Sequence, residues 1–239
     1  MSFTGEQLDR LRPLWDRMLD HPFLVQTRDG ELPDGVFATW MQQDYLFVEA
    51  AIPFMAALLP KAPEEHWEPL AGVIQALQKE LRLFEERGQA AGVDLRAAPP
   101  SFTCHAYIQF LMATAYLRSY PEAYTVLYAA EKAYHDSWKA VEAGLDPASP
   151  WYPFVENWAG QDFAGYVEYL AGELDGLAEG AGAAERERMA ELFEVTTRYE
   201  IAFWEMAFTG GGWPGESATG SGPATATGSG TGSTGGEGG

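Results

Sequence analysis

Three acidic residues, Asp44, Glu131 and Glu200, occupy positions where the surrounding sequence predicts an inward-facing helix surface. Each has aromatic residues at helical spacing, and these include Phe47, Tyr134 and Phe203. A carboxylate is costly to bury unless it is paired or hydrogen-bonded, so an acid among aromatic rings needs a specific reason. For any one acid, a hydrogen bond to a buried tyrosine, tryptophan or helix end is a sufficient reason.

Together, the three acids indicate a pocket for a flat ligand that carries nitrogen. Aromatic faces can stack on such a ring, and carboxylates can accept hydrogen bonds from its N–H groups. Burial among apolar groups also raises the pKa of a carboxyl toward the range of a general acid. The pattern itself does not name the ligand.

Metal and cysteine chemistry compete for nearby residues. Glu131 and His135 are four residues apart, so both can reach one ion, as in the carboxylate sites of helical bundles. Those sites repeat Glu-x-x-His on two helices, whereas Glu-x-x-x-His occurs once here, so we predict no metal and no other cofactor. Cys104, near a predicted helix start, has the placement of a nucleophile, but a lone cysteine is more often an inert small side chain.

The elements that hold these residues are predicted to be helices throughout. Apolar residues recur at spacings of three and four, and no paired strand pattern with a hairpin signal occurs. Pro13 and Pro53 are expected to kink their helices. We expect the charged residues of the helix near 63–92, Glu80 among them, to face solvent. The prediction is an all-α, compact antiparallel bundle of seven to eight helices, at about 4–19, 33–59, 63–92, 101–117, 121–144, 151–158, 161–177 and 183–208.

Composition divides the chain into two parts. The last thirty residues hold half of the 26 glycines and few apolar side chains, so we predict a helical domain at 1–209 and a disordered tail at 210–239. The 35 acidic and 15 basic residues give a net charge of −20, which argues against nucleic acid and anionic membranes as partners. With one cysteine, no signal-peptide pattern and no apolar run of membrane length, we expect a cytoplasmic protein.

Two segments of the sequence carry a family resemblance. HPFLVQTRDGELPDGVFATWMQQDY, which begins at His21, resembles the HPF, Leu-Pro and Gln-Asp-Tyr series of the TenA (thiaminase II) family. EVTTRYEIAFWEMA, which begins at Glu194, resembles the terminal motif of that family. The resemblance extends from the first helix to Phe208. It implies the heme-oxygenase-like fold and a homo-oligomer, either a tetramer or a dimer.

One departure indicates a branch of that family. Where the cysteine-bearing members have Pro-Cys, this chain has Glu131 at the place of the cysteine, which resembles the Glu-bearing TenA-E branch. The resemblance implies salvage of the pyrimidine half of thiamin, by hydrolysis of 4-amino-5-aminomethyl-2-methylpyrimidine with release of ammonia. The Glu branch is also associated with the N-formyl derivative. Thiamin cleavage in the family relies on the cysteine, so its absence argues against that activity here.

The resemblance also implies roles for single residues. Asp44 matches the carboxylate that holds the edge of the aminopyrimidine, Glu200 matches the glutamate that transfers protons at the leaving nitrogen, and Glu131 occupies the nucleophile position. Trp158 stands in place of a family tyrosine on the penultimate helix. The residues expected to contact the substrate, besides Asp44, are Phe47, Tyr107, Tyr134, Trp158 and Phe203.

A carboxylate does not attack an electron-poor ring as a thiolate does, so we expect a carboxylate at position 131 to activate water as a general base. Which of Glu131 and Glu200 is the acid and which is the base stays open. Two rival functions use the same residues. One is a non-catalytic carrier of a pyrimidine or of thiamin, and the other is a metal-dependent oxidase of the same fold, with Glu131 and His135 as ligands.

Overall fold

The computed structural model of the protein describes residues 2–215, and within them the regular structure is entirely helical. The predicted all-α class is therefore confirmed. Short 3-10 turns at Leu59–Lys61 and Glu64–His66 lead from the fourth helix to the fifth. The α-helices of this part of the chain are α1 (Phe3–Arg10), α2 (Arg12–Leu19), α3 (Pro22–Arg28), α4 (Asp34–Leu58), α5 (Trp67–Ala91), α6 (Phe102–Leu117), α7 (Tyr120–Glu142), α8 (Tyr152–Ala159), α9 (Gln161–Gly180) and α10 (Ala183–Thr209).

The first thirty residues contain more helices than the sequence pattern predicts. The single helix expected at 4–19 is divided at Leu11 (φ −98°, ψ 9°), because Pro13 lacks an N–H and its ring crowds the carbonyl four residues earlier. No helix is predicted between the first helix at 4–19 and the next at 33–59, but Pro22 begins α3. Proline suits a first helical position, and His21 Nδ1 accepts a hydrogen bond from the Phe23 N–H at 3.2 Å.

Helix α7 forms the middle of the bundle and packs against α10, α8 and α9. A capping box fixes its start, since the Ser119 hydroxyl accepts from the Glu122 N–H while the Glu122 carboxylate accepts from the Ser119 N–H. The run from Glu122 to Ala129 is buried throughout. Beyond this run, Glu131 and Tyr134 lie on the face of α7 that lines a cavity.

Helix α4 packs against α5, α6 and α10. It continues past Pro53 to Leu58 as a single helix. Its buried residues include Trp40 and Asp44, which are one turn apart. Trp40 belongs to a cluster of fully buried rings, with centroids 5.1 Å from Trp138 and 5.1 Å from Phe154. Dense aromatic packing of this kind holds the neighbouring helices at fixed positions.

The last helix, α10, ends at Thr209. Gly210 adopts a left-handed conformation (φ 72°) and ends α10. Just beyond it, Trp213 packs edge-on against Phe102 at 5.5 Å and donates to the Pro100 carbonyl at 3.1 Å. The remainder of the predicted disordered tail, 216–239, lies outside the described residues. In the described part of the chain, no helix is both long enough and apolar enough to cross a membrane.

Candidate active site

A cavity lies between α4, α5, α6, α7, α8 and α10, and all three acids singled out from the sequence line it. Its volume is about 70 Å³, measured as the space open to the centres of water molecules. That is room for several waters or one small ring. Most of its wall is apolar and includes Val48, Ala51, Phe54, Met55, Leu111 and Leu127.

Asp44 reaches the cavity from α4 and is only 1% exposed. The Tyr134 hydroxyl donates to its Oδ1 at 2.5 Å, and the Trp40 indole N–H in turn donates to that hydroxyl oxygen at 3.3 Å. The other carboxylate oxygen, Oδ2, is buried and has no hydrogen-bond partner among residues 2–215. Asp44 is thus fixed in orientation on one side and left with a free acceptor on the other.

Glu200 repeats this arrangement from α10, also at 1% exposure. The Tyr107 hydroxyl donates to Oε1 at 2.5 Å, while Oε2 is buried and has no partner in the described part of the chain. The Tyr107 ring stacks on Tyr199 with centroids 4.7 Å apart, which fixes the donor. Buried polar atoms are almost always hydrogen-bonded, so two unpartnered carboxylate oxygens on one cavity point to groups that the protein itself does not supply.

Burial controls the protonation of these two acids. It raises the pKa of Asp44 to about 8 and the pKa of Glu200 to about 8, although the tyrosine hydrogen bonds act in the opposite direction. Nearby acids add to the rise: the charge of Glu80 acts on Asp44, and the charges of Asp44 and Glu131 act on Glu200. A carboxyl group with such a pKa can give or accept a proton near neutral pH.

Glu131 projects into the same cavity from α7 and is partly exposed to it. Its Oε1 accepts a hydrogen bond from the Tyr166 hydroxyl at 3.3 Å. Burial among apolar groups is the main cause that raises the pKa of Glu131 to about 8, and the charge of Glu80 adds to it. The Tyr166 hydrogen bond acts in the opposite direction.

Glu80 was expected to face solvent, and this expectation is wrong. It lines the cavity from α5, its Oε1 accepts from the Asn157 amide at 3.3 Å, and burial raises its pKa to about 7. The run of charges around Glu80 hid this placement. The spacing did contain a signal, because Leu77 and Phe84, three residues before and four after, are both buried and mark the inward face of the helix.

The predicted aromatic contacts fall into two layers. Phe47, Tyr134 and Trp158 line the cavity together with the acids. Tyr107 and Phe203 do not belong to its wall, and their ring centroids lie 4.6 Å and 5.6 Å from that of Phe47. In this structure they support the wall from behind, and Tyr107 also orients Glu200.

Trp158, the expected counterpart of the family tyrosine, does not lie on the penultimate helix. Trp158 belongs to α8, whereas the penultimate helix of the described chain is α9. Helix α9 supplies a hydroxyl of its own, that of Tyr166, to Glu131. The sequence pattern missed Tyr166 because its partner lies 35 residues away on another helix.

The residues of the two competing chemistries lie in ordinary structural settings. His135 Nδ1 is 2.9 Å from the Trp158 carbonyl oxygen, and its ring lies against Phe163. Within residues 2–215, no three His, Cys, Asp or Glu side chains are grouped so that they could hold a metal ion. Cys104 is fully buried, and burial raises the pKa of its thiol to about 12, so it is protonated and a poor nucleophile at neutral pH.

A second cavity, here called the outer chamber, lies between α5, α7 and α9 and adjoins the first. Its volume by the same measure is about 380 Å³, and the exposed residues Lys79 and Asp162 lie on its wall. Leu77, Glu80 and Glu131 line both cavities. The remaining wall includes the aromatic residues Tyr124, Phe163, Tyr166 and Tyr169.

Sequence comparisons connect this site to known proteins. A sequence model of the TENA/THI-4/PQQC family matches residues 8–210. A probable bifunctional TENA-E protein from Glycine max is 26% identical over 216 residues, which cover 87% of this chain and 93% of that protein. An aminopyrimidine aminohydrolase from Halalkalibacterium halodurans is 26% identical over 217 residues, which cover 87% of this chain and 96% of the enzyme.

Solved structures agree with the fold. A TenA homologue from Pyrococcus furiosus superimposes with a TM-score of 0.83 at 34% identity, over 86% of this chain and 100% of that one. A domain from Shewanella denitrificans with a heme oxygenase-like fold superimposes with a TM-score of 0.69 at 15% identity, over 85% and 91% of the two chains. The predicted heme-oxygenase-like fold is therefore confirmed.

Proposed function

Because the chain belongs to the TENA/THI-4/PQQC family, we propose that it is an aminopyrimidine aminohydrolase of thiamin salvage. The substrate is 4-amino-5-aminomethyl-2-methylpyrimidine. Water replaces the amino group on the exocyclic methylene, so the C–N bond breaks, a C–O bond forms, and the products are the hydroxymethylpyrimidine and ammonia. The relative from Halalkalibacterium halodurans bears the name of this activity.

One observation carries the proposal: two buried carboxylates line the same small cavity, and each is oriented by a tyrosine and has one oxygen without a hydrogen-bond partner among the described residues. An aminopyrimidine has a flat ring, a ring amino group and an aminomethyl group. The amino N–H groups supply the donors that Asp44 Oδ2 and Glu200 Oε2 lack. The aromatic wall with Phe47 and Trp158 suits the ring faces.

The three acids divide the proton transfers. Asp44 holds the edge of the pyrimidine, and Glu131 and Glu200 act on the exocyclic carbon and its leaving nitrogen. One of these two removes a proton from the attacking water, and the other protonates the departing amine. The pKa of each is raised to about 8, so each has both forms available at neutral pH, and their order is decided by experiment.

Glu131 supports assignment to the Glu-bearing branch. A carboxylate at the position of a nucleophilic thiolate favours activation of water over covalent attack on the ring. The Glycine max relative of similar length is named as a probable TENA-E protein. We include the N-formyl derivative of the aminopyrimidine as a second substrate, whose cleavage would release formate before ammonia.

Ammonia release from the aminopyrimidine tests the function directly. We expect the purified protein to release ammonia and the hydroxymethylpyrimidine in equal amounts. Glu131→Gln should abolish release and retain substrate binding, while Glu86→Gln, at an exposed position on α5, serves as the control for loss of a glutamate charge outside the site. A fully active Glu131→Gln enzyme would contradict the proposed role of Glu131 in proton transfer. Binding without any ammonia from the unmodified protein would favour the carrier, and activity that follows bound metal would favour the oxidase.

We also propose a cytoplasmic homo-oligomer, either a tetramer or a dimer. Tyr116 and Leu117, near the end of α6, are 65% and 81% exposed. Adjacent exposed apolar side chains of this kind are common in subunit interfaces. Light scattering of the purified protein measures the mass, and a monomer at micromolar concentration would contradict the proposal.

A further inference from the structure

Glu80 and Glu131 both line the inner cavity and both line the outer chamber. They come from different helices, α5 and α7, and are the two acids that line both spaces. Glu131 faces the proposed reacting atoms, while Glu80 has no assigned role. The pair therefore lies between the site of the chemistry and the larger space whose wall includes exposed residues.

No basic side chain of the described residues is bonded to either acid. Glu80 accepts from the Asn157 amide and Glu131 from the Tyr166 hydroxyl, both neutral donors. Lys79, on the wall of the outer chamber, is exposed. The other titratable groups on the walls of the two cavities or close to the pair are Asp44 from α4, His66 from the turn before α5, Tyr107 from α6, Tyr124 and Tyr134 from α7, Asp162, Tyr166 and Tyr169 from α9, and Glu200 from α10.

Two carboxyl groups that line the same cavities without a bonded cation do not both ionise readily, so one of them keeps a proton near neutral pH. The charge of Glu80 raises the pKa of Glu131, and this is the largest contribution to the rise after burial. Burial raises the pKa of Glu80 itself to about 7. Each turnover of the proposed reaction also leaves its general base protonated and its general acid deprotonated, so a proton must move before the next cycle.

We propose that Glu80 is a positioning residue that shares a proton with Glu131, sets its ionisation and exchanges that proton with water in the outer chamber. This inference rests on the proposed function. Glu80 itself does not touch the reacting atoms. It acts through Glu131, whether Glu131 is the acid or the base of the hydrolysis.

The pH profile of kcat/KM for ammonia release tests the inference. Glu80→Gln removes a neighbouring negative charge, so the pKa of Glu131 should fall by roughly one pH unit. The limb of the profile that Glu131 governs should move to lower pH by that amount. Glu80→Asp, which retains the charge, should restore most of the original profile, and Glu86→Gln on the same helix should leave it unchanged.

An unchanged profile in Glu80→Gln would overturn the inference, and so would equal shifts in Glu80→Gln and Glu86→Gln. A loss of activity without any shift would show a merely structural role and would overturn it too. A second measurement needs no variant at position 80: carboxyl carbon NMR of the glutamate-labelled protein, with the Glu131 signal assigned by its loss in Glu131→Gln.

We expect the Glu131 carbon to titrate in two steps, because its signal also senses the ionisation of Glu80. A single step near the ordinary glutamate pKa would overturn the inference. This titration requires no catalysis, so the two failures are distinguishable. If the unmodified protein releases no ammonia but Glu131 titrates in two steps, the proposed function fails while the shared proton stands.

Discussion

Glu122 is almost as buried as Asp44 and Glu200, yet these acids differ in what their oxygens contact. Glu122 is 3% exposed, and both its oxygens have partners: Oε2 accepts from the Ser119 N–H at 3.2 Å and Oε1 accepts from the Arg188 guanidinium. Asp44 and Glu200 are 1% exposed and each keeps one unpartnered oxygen. Burial of an acid is therefore not what marks a site.

The difference separates an acid that holds the fold from acids that await a ligand. A buried carboxylate whose acceptors are all used stabilises its surroundings, and at Glu122 it secures the start of α7 and ties it to α10. A buried carboxylate with an unused acceptor costs free energy in the unliganded protein. Natural sequences retain that cost mainly where a function requires it.

The largest expected effect is on catalysis. Asp44→Asn and Glu200→Gln should each lower kcat/KM for ammonia release by about 10²- to 10⁴-fold, the usual range for lost proton transfer or charge stabilisation. Circular dichroism should show folded protein in both cases. If either variant retained activity within about threefold of the original, the distinction between the two kinds of buried acid would fail.

The second effect is on the pH dependence of stability. Burial raises the pKa of Asp44 from 3.8 to about 8, so the folded protein keeps a proton that the unfolded chain releases above pH 4. The free energy of unfolding therefore falls as pH rises through this window. Asp44→Asn cannot titrate, so its stability relative to the original should grow between about pH 4 and pH 8, by a few kcal/mol at most. Urea unfolding at pH 5 and pH 8 measures this, and a constant difference would contradict it.

The third effect is a loss of stability with little loss of catalysis, the opposite of the first. Glu122→Ala should lower the free energy of unfolding by about 1–2 kcal/mol, because it removes the reciprocal cap of α7 and the partner of Arg188. At temperatures where the variant remains folded, kcat/KM should stay within about twofold of the original. A catalytic defect as large as that of Glu200→Gln would mean that the partnered acid also serves the site.

The smallest effect concerns the hydroxyl that reaches Glu131. Tyr166→Phe removes a hydrogen bond of 3.3 Å to a partly exposed carboxylate, so we expect a loss of about three- to tenfold in kcat/KM. The hydrogen bond lowers the pKa of Glu131, so its loss should move the limb of the pH profile governed by Glu131 to higher pH. A shift to lower pH would contradict this assignment.

The sequence was sufficient to predict the helical class and the inward placement of three acids. Helical spacing puts Asp44, Glu131 and Glu200 beside aromatic residues on one face of each helix. It was not sufficient for their partners. Tyr134 lies 90 residues from Asp44 and Tyr107 lies 93 residues from Glu200, and only packing between helices determines which hydroxyl meets which carboxylate. The same limit concealed Tyr166.

Local pattern also failed where two local signals disagreed. Glu80 stands in a run of charges that indicates solvent, but Leu77 and Phe84 define an inward face that includes it. The pattern predicts no helix around Pro22, although proline can both end one helix and begin the next, and here it begins α3. In each case tertiary packing decided between two signals of similar strength.

The cluster of tryptophans beside the cavity gives the protein an optical property. Trp40, Trp138 and Trp158 have ring centroids 5.1–5.9 Å apart, close enough for their excited states to couple. Trp158 also forms part of the cavity wall. A ring that stacks there changes the surroundings of one emitter in a coupled group, so occupancy of the site can be followed by the intrinsic fluorescence of the protein without any added label.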